Sequence, residues 1–459
     1  MTDIISLKKH IIQVALQGKL TKQESSTESI DSLLPYLFKR NKKYSTFSED
    51  LVEFEIPKSW KWCMTYEAVS LENGDDSSGE NLPYLDVKYL RTGKNPTILN
   101  KGEVVYPGSK VILVDGENSG EIFAVSQKGY KGSTFKILNI SKAFISEYIL
   151  YFISLYKEKF RGNKTGSAIP HLNKTIFFEL PIPLPPIQEQ KKIVEKLDRI
   201  FEELNFFDKK QSRLAFLRDK LETKILDLAM RGILVKERAS SNTDKVNHLL
   251  ENISSHRDEM IKLGVAKKDK RLLINDPIER DDLFTIPSNW KYVYLGNILF
   301  KLTDGTHSTP KYTDDGVKFV SVKDMSSGVL DLSNTKHISQ EEHDELFKRC
   351  DPKKGDMLLS KVGTTGVPAI IYTDEEFSLF VSVALLKYNH DFIYEKFLYY
   401  LIKSPIVQRQ AAEHTRGVGN QNWVLDAIAK TIIPLPPFEE QVLIANKIDE
   451  LIPLCEKLI

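Results

Sequence analysis

The longest regular pattern in the chain starts after Pro186, where apolar residues recur at helical spacing for roughly 45 residues with no helix breaker. At 1.5 Å per residue this predicts a rod of about 65 Å, too long for one small domain. Within it, Ile193, Leu197, Ile200, Leu204 and Phe207 follow alternating steps of four and three, the apolar seam of a coiled coil. A phase change near Leu214 and Leu217 then leads into Leu221, Ile225 and Leu228. A second run begins the same way with Ile444, Ile448, Leu451, Cys455 and Leu458. Elsewhere the period is short. Lys110–Val114, Glu121–Val125, Val317–Val322 and Ala369–Tyr372 read as strands rich in Val and Ile, with Gly and Asn/Asp clusters between them. Ser146–Arg161 and Phe392–Lys403 read as helices whose Tyr148, Tyr151, Phe152, Tyr394, Tyr399 and Tyr400 belong to a core.

These patterns occur twice. FEIPKSWKW at Phe54–Trp62 matches FTIPSNWKY at Phe284–Tyr292, and PIPLPPIQEQ at Pro181–Gln190 matches IIPLPPFEEQ at Ile432–Gln441. A looser pair, IIQVALQGKL at Ile11–Leu20 and ILDLAMRGIL at Ile225–Leu234, keeps the apolar pattern and sets Gly18 against Gly232. Each Ile-Pro-x-x-Trp segment opens a block of mixed strand and helix, and each Pro-Leu-Pro-Pro segment closes it. Proline as an ordinary stop before a helix would explain each motif singly, but not the matched pair. The domain reading is therefore an N-terminal helix over 1–23, a first block over 50–186 and a central helix over 187–235. A charged helical connector over 236–280, a second block over 281–437 and a C-terminal helix over 438–459 complete it. Leu7, Ile11 and Val14 match Leu221, Ile225 and Leu228, so the two ends of the chain together rebuild one copy of the central helix. This circular repeat predicts an α+β fold in which two similar globular domains are separated by two long antiparallel coiled-coil helices. Neighbouring termini and an approximate two-fold axis within the monomer would follow.

Composition narrows the function. With 41% hydrophobic and 28% charged residues and no long apolar run, the chain has the make-up of a water-soluble protein. Lys8, Lys9 and His10 interrupt what a secretory signal would keep apolar, and Cys63, Cys350 and Cys455 form no C-x-x-C pair, so a cytoplasmic location without disulfides or zinc is expected. A net charge of +1 does not by itself point to nucleic acid, although the lysines of Lys101–Lys174 leave room for a basic face. No phosphate-cradling Gly-x-x-x-x-Gly-Lys run, no strand-linked Gly-x-Gly-x-x-Gly, no His-Glu-x-x-His and no Gly-x-Ser-x-Gly elbow is present, so no catalytic centre is expected. Leu435-Pro436-Pro437-Phe438 looks like the Pro-Pro-aromatic box of amino-methylating enzymes, but leucine stands where a polar acceptor is needed.

The doubled openings, the doubled Pro-Leu-Pro-Pro-x-x-Glu-Gln closings and the helical repeats ending in Ala-x-x-Gly-x-Leu together resemble the specificity subunit of a type I restriction-modification system. The resemblance spans essentially the whole chain. It implies two target-recognition domains that each read one half of a bipartite, asymmetric sequence in double-stranded DNA. It also implies docking of two modification (methyltransferase) subunits and of restriction (motor-nuclease) subunits. S-adenosylmethionine, ATP and Mg would then sit on those partners, with no cofactor in this chain. The seam residues Ile193, Leu197, Ile200, Leu204, Leu221, Ile225, Ile444, Ile448 and Leu451 would form the helical interface.

Two loop pairs at comparable places in the blocks are the candidate DNA contacts, because loops on a rigid frame are where a varied reader sits. The first pair, 115–120 and 361–366, offers Asn118, Ser119, Lys361, Thr364 and Thr365; the second, 164–171 and 416–423, offers Lys164, Thr165, Ser167, His171, Arg416, Asn420, Gln421 and Asn422. Asn and Gln suit adenine, Arg suits guanine and Lys suits phosphate or guanine. For any single residue, a turn formed for backbone reasons competes with this reading. The rival class is an architectural coiled-coil scaffold that binds protein partners without DNA.

Overall fold

The computed structural model describes residues 3–22, 29–39, 43–161, 171–235, 244–415 and 421–457. They divide into two compact units, Met1–Lys210 and Gln211–Ile459. Each unit is built on the same frame.

In the first unit the opening segment forms a tight turn, Trp60 N donating to Pro57 O at 2.9 Å, and continues into strand Lys61–Met64. That strand pairs antiparallel with Pro181–Leu184, so the two segments that bracket the block in sequence are bonded to each other in space. The second unit repeats this with Trp290 N on Pro287 O at 2.9 Å and strand Lys291–Tyr294 paired to Ile432–Leu435. The prolines are tolerated because each sheet has only two strands, leaving an edge where a missing N–H costs no ladder bond.

Four further strands follow in matching order. In the first unit they are Val69–Glu72, Phe135–Ile140, Lys110–Leu113 and Ile122–Ala124; in the second, Lys301–Asp304, Val383–Lys387, Met357–Ser360 and Pro368–Ile370. Three of the strands expected from sequence are present in slightly shorter form, that expected at Ala369–Tyr372 lies at Pro368–Ile370, and the expected helices appear as Ser146–Tyr156 and Glu395–Lys403. What is inserted into the frame differs between the units. The first carries three mutually paired strands, Asp75–Leu85, Ile98–Val105 and Gly129–Lys131; the second carries a four-stranded sheet of Tyr312–Thr313, Lys336–Ile338, Val317–Val320 and Phe377–Leu379.

The polar residues shared by the two closing motifs tie the frame together from inside. Gln190 is fully buried; it accepts from Ile145 N at 2.8 Å and donates to Ala143 O at 3.0 Å and Pro185 O at 2.9 Å. Gln441, equally buried, accepts from Tyr394 N at 2.9 Å and donates to Phe392 O and Pro436 O at 3.2 Å each. The glutamate before each takes the tryptophan indole: Trp60 Nε1 donates to Glu189 at 3.1 Å and Trp290 Nε1 to Glu440 at 2.7 Å.

The third repeat ends helices in the same way. Gly18 at φ +70° and Gly232 at φ +66° occupy left-handed positions that let a helix stop cleanly. Lys19 N reaches back to Val14 O at 3.1 Å, and Ile233 N to Leu228 O at 3.0 Å. In the first unit the N-terminal helix Ile4–Leu16 buries Ile12, Ala15 and Leu16; in the second, the end of the long helix Ile187–Met230 buries the matching Leu226, Ala229 and Met230.

The seam reading needs a correction here. Ile193 and Leu197 lie in the core of the first unit, while Ile225, Ile444 and Ile448 lie in that of the second, with Leu451 packed against it. These side chains therefore hold helices onto globular domains. Ile200 and Leu204 are half-buried, and Leu221 is 41% exposed. The same helix leaves Phe206, Phe207, Leu214, Phe216 and Leu217 exposed as well. The alternating step is correct as a pattern, but a pattern does not specify which surface covers it.

Candidate nucleic-acid interface

Both candidate loops of a domain meet at one place. In the first unit the loop after Lys110–Leu113 begins with Val114, whose carbonyl accepts from Leu172 N at 2.7 Å, and Asp115 forms a β-bridge with His171. His171 Nδ1 lies 2.6 Å from Asp115 Oδ1. In the second unit Lys361 O accepts from Trp423 N at 2.8 Å, Val362 bridges Asn422, and Gly363 N donates to Gln421 O at 3.0 Å. Leu172 and Trp423 are the buried plugs beneath each junction, 5% and 0% exposed. Glycines make the turns: Gly116 and Gly120 have φ of +115° and +89°, and Gly363 and Gly366 both have φ of +82°.

These bonds shift the correspondence between the loops by one residue. Lys361 matches Val114, a core position, and not Asp115. Its side chain is accordingly interior, 5% exposed, with Nζ 3.1 Å from the equally buried Asp304 carboxylate. Arg349 Nη2 at 2.5 Å and His307 Nε2 at 3.3 Å share that carboxylate. Lys361 thus ties the loop to the end of strand Lys301–Asp304 instead of offering a charge to a ligand. Ser119 is also interior, 0% exposed, and its Oγ has no hydrogen-bond partner among the described residues. Glu117, His171, Thr364 and Gln421 are exposed, and Asn118, Thr365 and Asn422 are half-buried. Lys164, Thr165, Ser167, Arg416 and Asn420 lie outside the described residues.

Three lysines of the Lys101–Lys174 run are paired with carboxylates. Lys128 pairs with Glu80 at 2.6 Å, Lys159 with Glu53 at 3.0 Å, and the buried Lys131 with Glu103 at 3.0 Å. The Asp304 hub and the support given by Gln408, whose Nε2 donates to Gly366 O at 2.7 Å, were not read from the sequence. Both join residues more than 40 positions apart, and no local spacing announces them. Among the described residues there is no cluster of His, Cys, Asp and Glu arranged to hold a metal, and no helix long and apolar enough to cross a membrane.

A frame used twice, with unlike insertions and a loop junction at the same place in each copy, defines a two-domain recognition protein joined by a long helix. The chain belongs to the family of the type I restriction modification DNA specificity domain, whose family model matches residues 68–212 and 287–459. Among its relatives, the EcoBI specificity subunit of the type I restriction enzyme of Escherichia coli is 22% identical over 428 residues, covering 89% of this chain and 84% of that protein. The MjaVIII specificity subunit of Methanocaldococcus jannaschii is 24% identical, covering 88% of this chain and 89% of that one. A chain solved in work on complex assembly and conformational transition of the type I R-M system superposes with a TM-score of 0.55 at 17% identity, covering 88% of this chain and 93% of its own length.

Proposed function

We propose that this chain is the non-catalytic subunit that gives a type I restriction-modification complex its DNA sequence preference, one block reading each part of a bipartite target. The observation that carries this reading is the matched loop junction, Asp115 with His171 and Val362 with Asn422, on frames whose insertions differ. Equal placement gives the two blocks the same task; unequal residues give them different sequences to read. The uncharged groups of the second junction, the exposed Thr364 and Gln421 and the half-buried Thr365 and Asn422, are of the kind that bond base edges. The exposed apolar side chains of the long helix, Phe206 through Leu221, support docking of methyltransferase subunits, with the motor-nuclease subunits joining that assembly. S-adenosylmethionine, ATP and Mg would be held by those partners.

Modified-base sequencing of the source genome, with and without this chain, tests the proposal. The expected result is methylation at a two-part, non-palindromic motif that disappears when the chain is deleted. Replacing residues 281–437 by the corresponding block of a relative should change one part of the motif and leave the other intact. A palindromic motif, or one that survives deletion, would remove the basis for the reading; intact partner assembly without any DNA preference would favour the scaffold.

A further inference from the structure

The second unit carries a cationic cleft that no sequence motif marked. It has a volume of about 440 Å³ and lies between the segment Gly264–Leu272, the strand Lys301–Thr303 and the turn Lys348–Arg349. Six basic side chains line it, Lys267, Lys268, Arg271, Lys301, Lys348 and Arg349, against a single lining carboxylate, Asp269. Three of them have a carboxylate close by: Arg271 on Asp269 at 2.6 Å, Lys301 on Asp351 at 2.5 Å and Lys348 on Glu345 at 2.5 Å. Arg349 shares Asp304 with Lys361, so two cations stand on one buried carboxylate. Lys267 and Lys268 are exposed and have no ion-pair partner among the described residues.

Lys267 and Lys268 thus stand without a counter-charge beside four paired cations, and the natural complement of such a group is a polyanion. Its position states which one. Arg349 at the rim of the cleft and Lys361 at the root of the 361–366 loop bind the same Asp304 carboxylate, so cleft and loop are held in register through one side chain. In DNA recognition, contacts to phosphate, many of them from Lys and Arg, set register, while contacts to base edges, among them those of Thr, Asn and Gln, read sequence. The two neighbouring surfaces divide in that way: lysines in the cleft, Thr and Gln on the exposed side of the loop junction.

We infer that Lys267 and Lys268, with Arg349, form a seat for the phosphate backbone of duplex DNA beside the second domain's reading loop. The inference rests on the DNA-reading function proposed above and deepens it by assigning the connector before the second block a direct part in binding.

The test uses the full chain assembled with its methyltransferase partner. Dissociation constants for a duplex carrying the target motif and for a random duplex are measured from 50 to 200 mM salt, for the parent and for K267A/K268A. Both duplexes should bind the variant more weakly by the same factor, and the slope of log K against log salt should fall by about 1.8, two phosphates at about 0.9 each. The ratio of specific to random binding should not change. A variant slope equal to the parent's would overturn the inference while leaving the DNA-reading function intact. Loss of the methyltransferase subunit from the variant complex on size-exclusion chromatography would overturn it too, because the cleft would then be a protein dock. A parent complex with no preference for the target over random DNA would instead refute the DNA-reading function, and the inference with it.

Discussion

Replacing Gln441 by alanine removes the side chain that closes the second block. Its carboxamide is fully buried and makes three hydrogen bonds, accepting from Tyr394 N and donating to the carbonyls of Phe392 and Pro436. Tyr394 is the residue at which helix Glu395–Lys403 starts, so its amide has no helical carbonyl to turn to. Alanine leaves one N–H and two carbonyls facing each other without water. Each buried polar group so abandoned costs about 1–3 kcal/mol, and neighbouring costs add incompletely, so a loss of about 3–5 kcal/mol is expected. In urea the midpoint should move down by about 1–2 M, taking a slope near 3 kcal/mol/M for a unit of this size. The fluorescence of the buried Trp290 and Trp423 reports on the second unit, alongside that of Trp60 and Trp62 in the first. Gln441→Met, which keeps volume but not the bonds, should recover only a minor part, and Gln190→Ala should destabilise the first unit comparably because its three bonds are the same. A loss below about 1 kcal/mol, the range of ordinary surface changes, would refute the view that this glutamine clamps the frame.

Three further outcomes follow from named contacts. Gly232→Ala should destabilise by more than about 1 kcal/mol in the same urea assay, since φ is +66° and a Cβ would stand 2.4 Å from Pro287 Cγ; a neutral result would contradict the close approach. Asp304→Ala should cost about 3–5 kcal/mol by leaving Lys361 buried without its partner, and the pair Asp304→Leu with Lys361→Met should restore most of it; no recovery in the double variant would show that the carboxylate matters for other reasons. Burial tends to raise the Asp269 carboxyl, but hydrogen bonds and charge from Arg271 override it and hold the group below its usual range. The stability this contributes is complete above the ordinary carboxyl value of about 3.9 and is lost as pH falls through the lower folded value, so Asp269→Asn should flatten the acid limb of a stability profile below about pH 4.

Legibility in the sequence followed the range of the interactions. The Ile-Pro-x-x-Trp turns, the proline-bearing closing strands and the left-handed glycines at Gly18 and Gly232 are each decided by residues within a few positions of one another. Their repetition therefore makes the twofold use of one frame visible in the sequence alone. The turns of the loop pairs were legible for the same reason, because glycine-bounded turns are local. Lys361 was misplaced by a one-residue difference in loop length, and in a strand one residue is enough to turn a side chain from solvent to core.

By itself, the amino-acid sequence determined that one set of α+β segments is used twice and that a long amphipathic helix follows the first use. Only the tertiary structure decided that opening and closing segments are bonded to each other, that the ends of the apolar seam belong to two globular cores, and that Asp304 gathers Lys361, Arg349 and His307. Periodicity tells which residues share a face, but what covers that face, and which charges become neighbours once it is covered, depends on segments tens to hundreds of positions away.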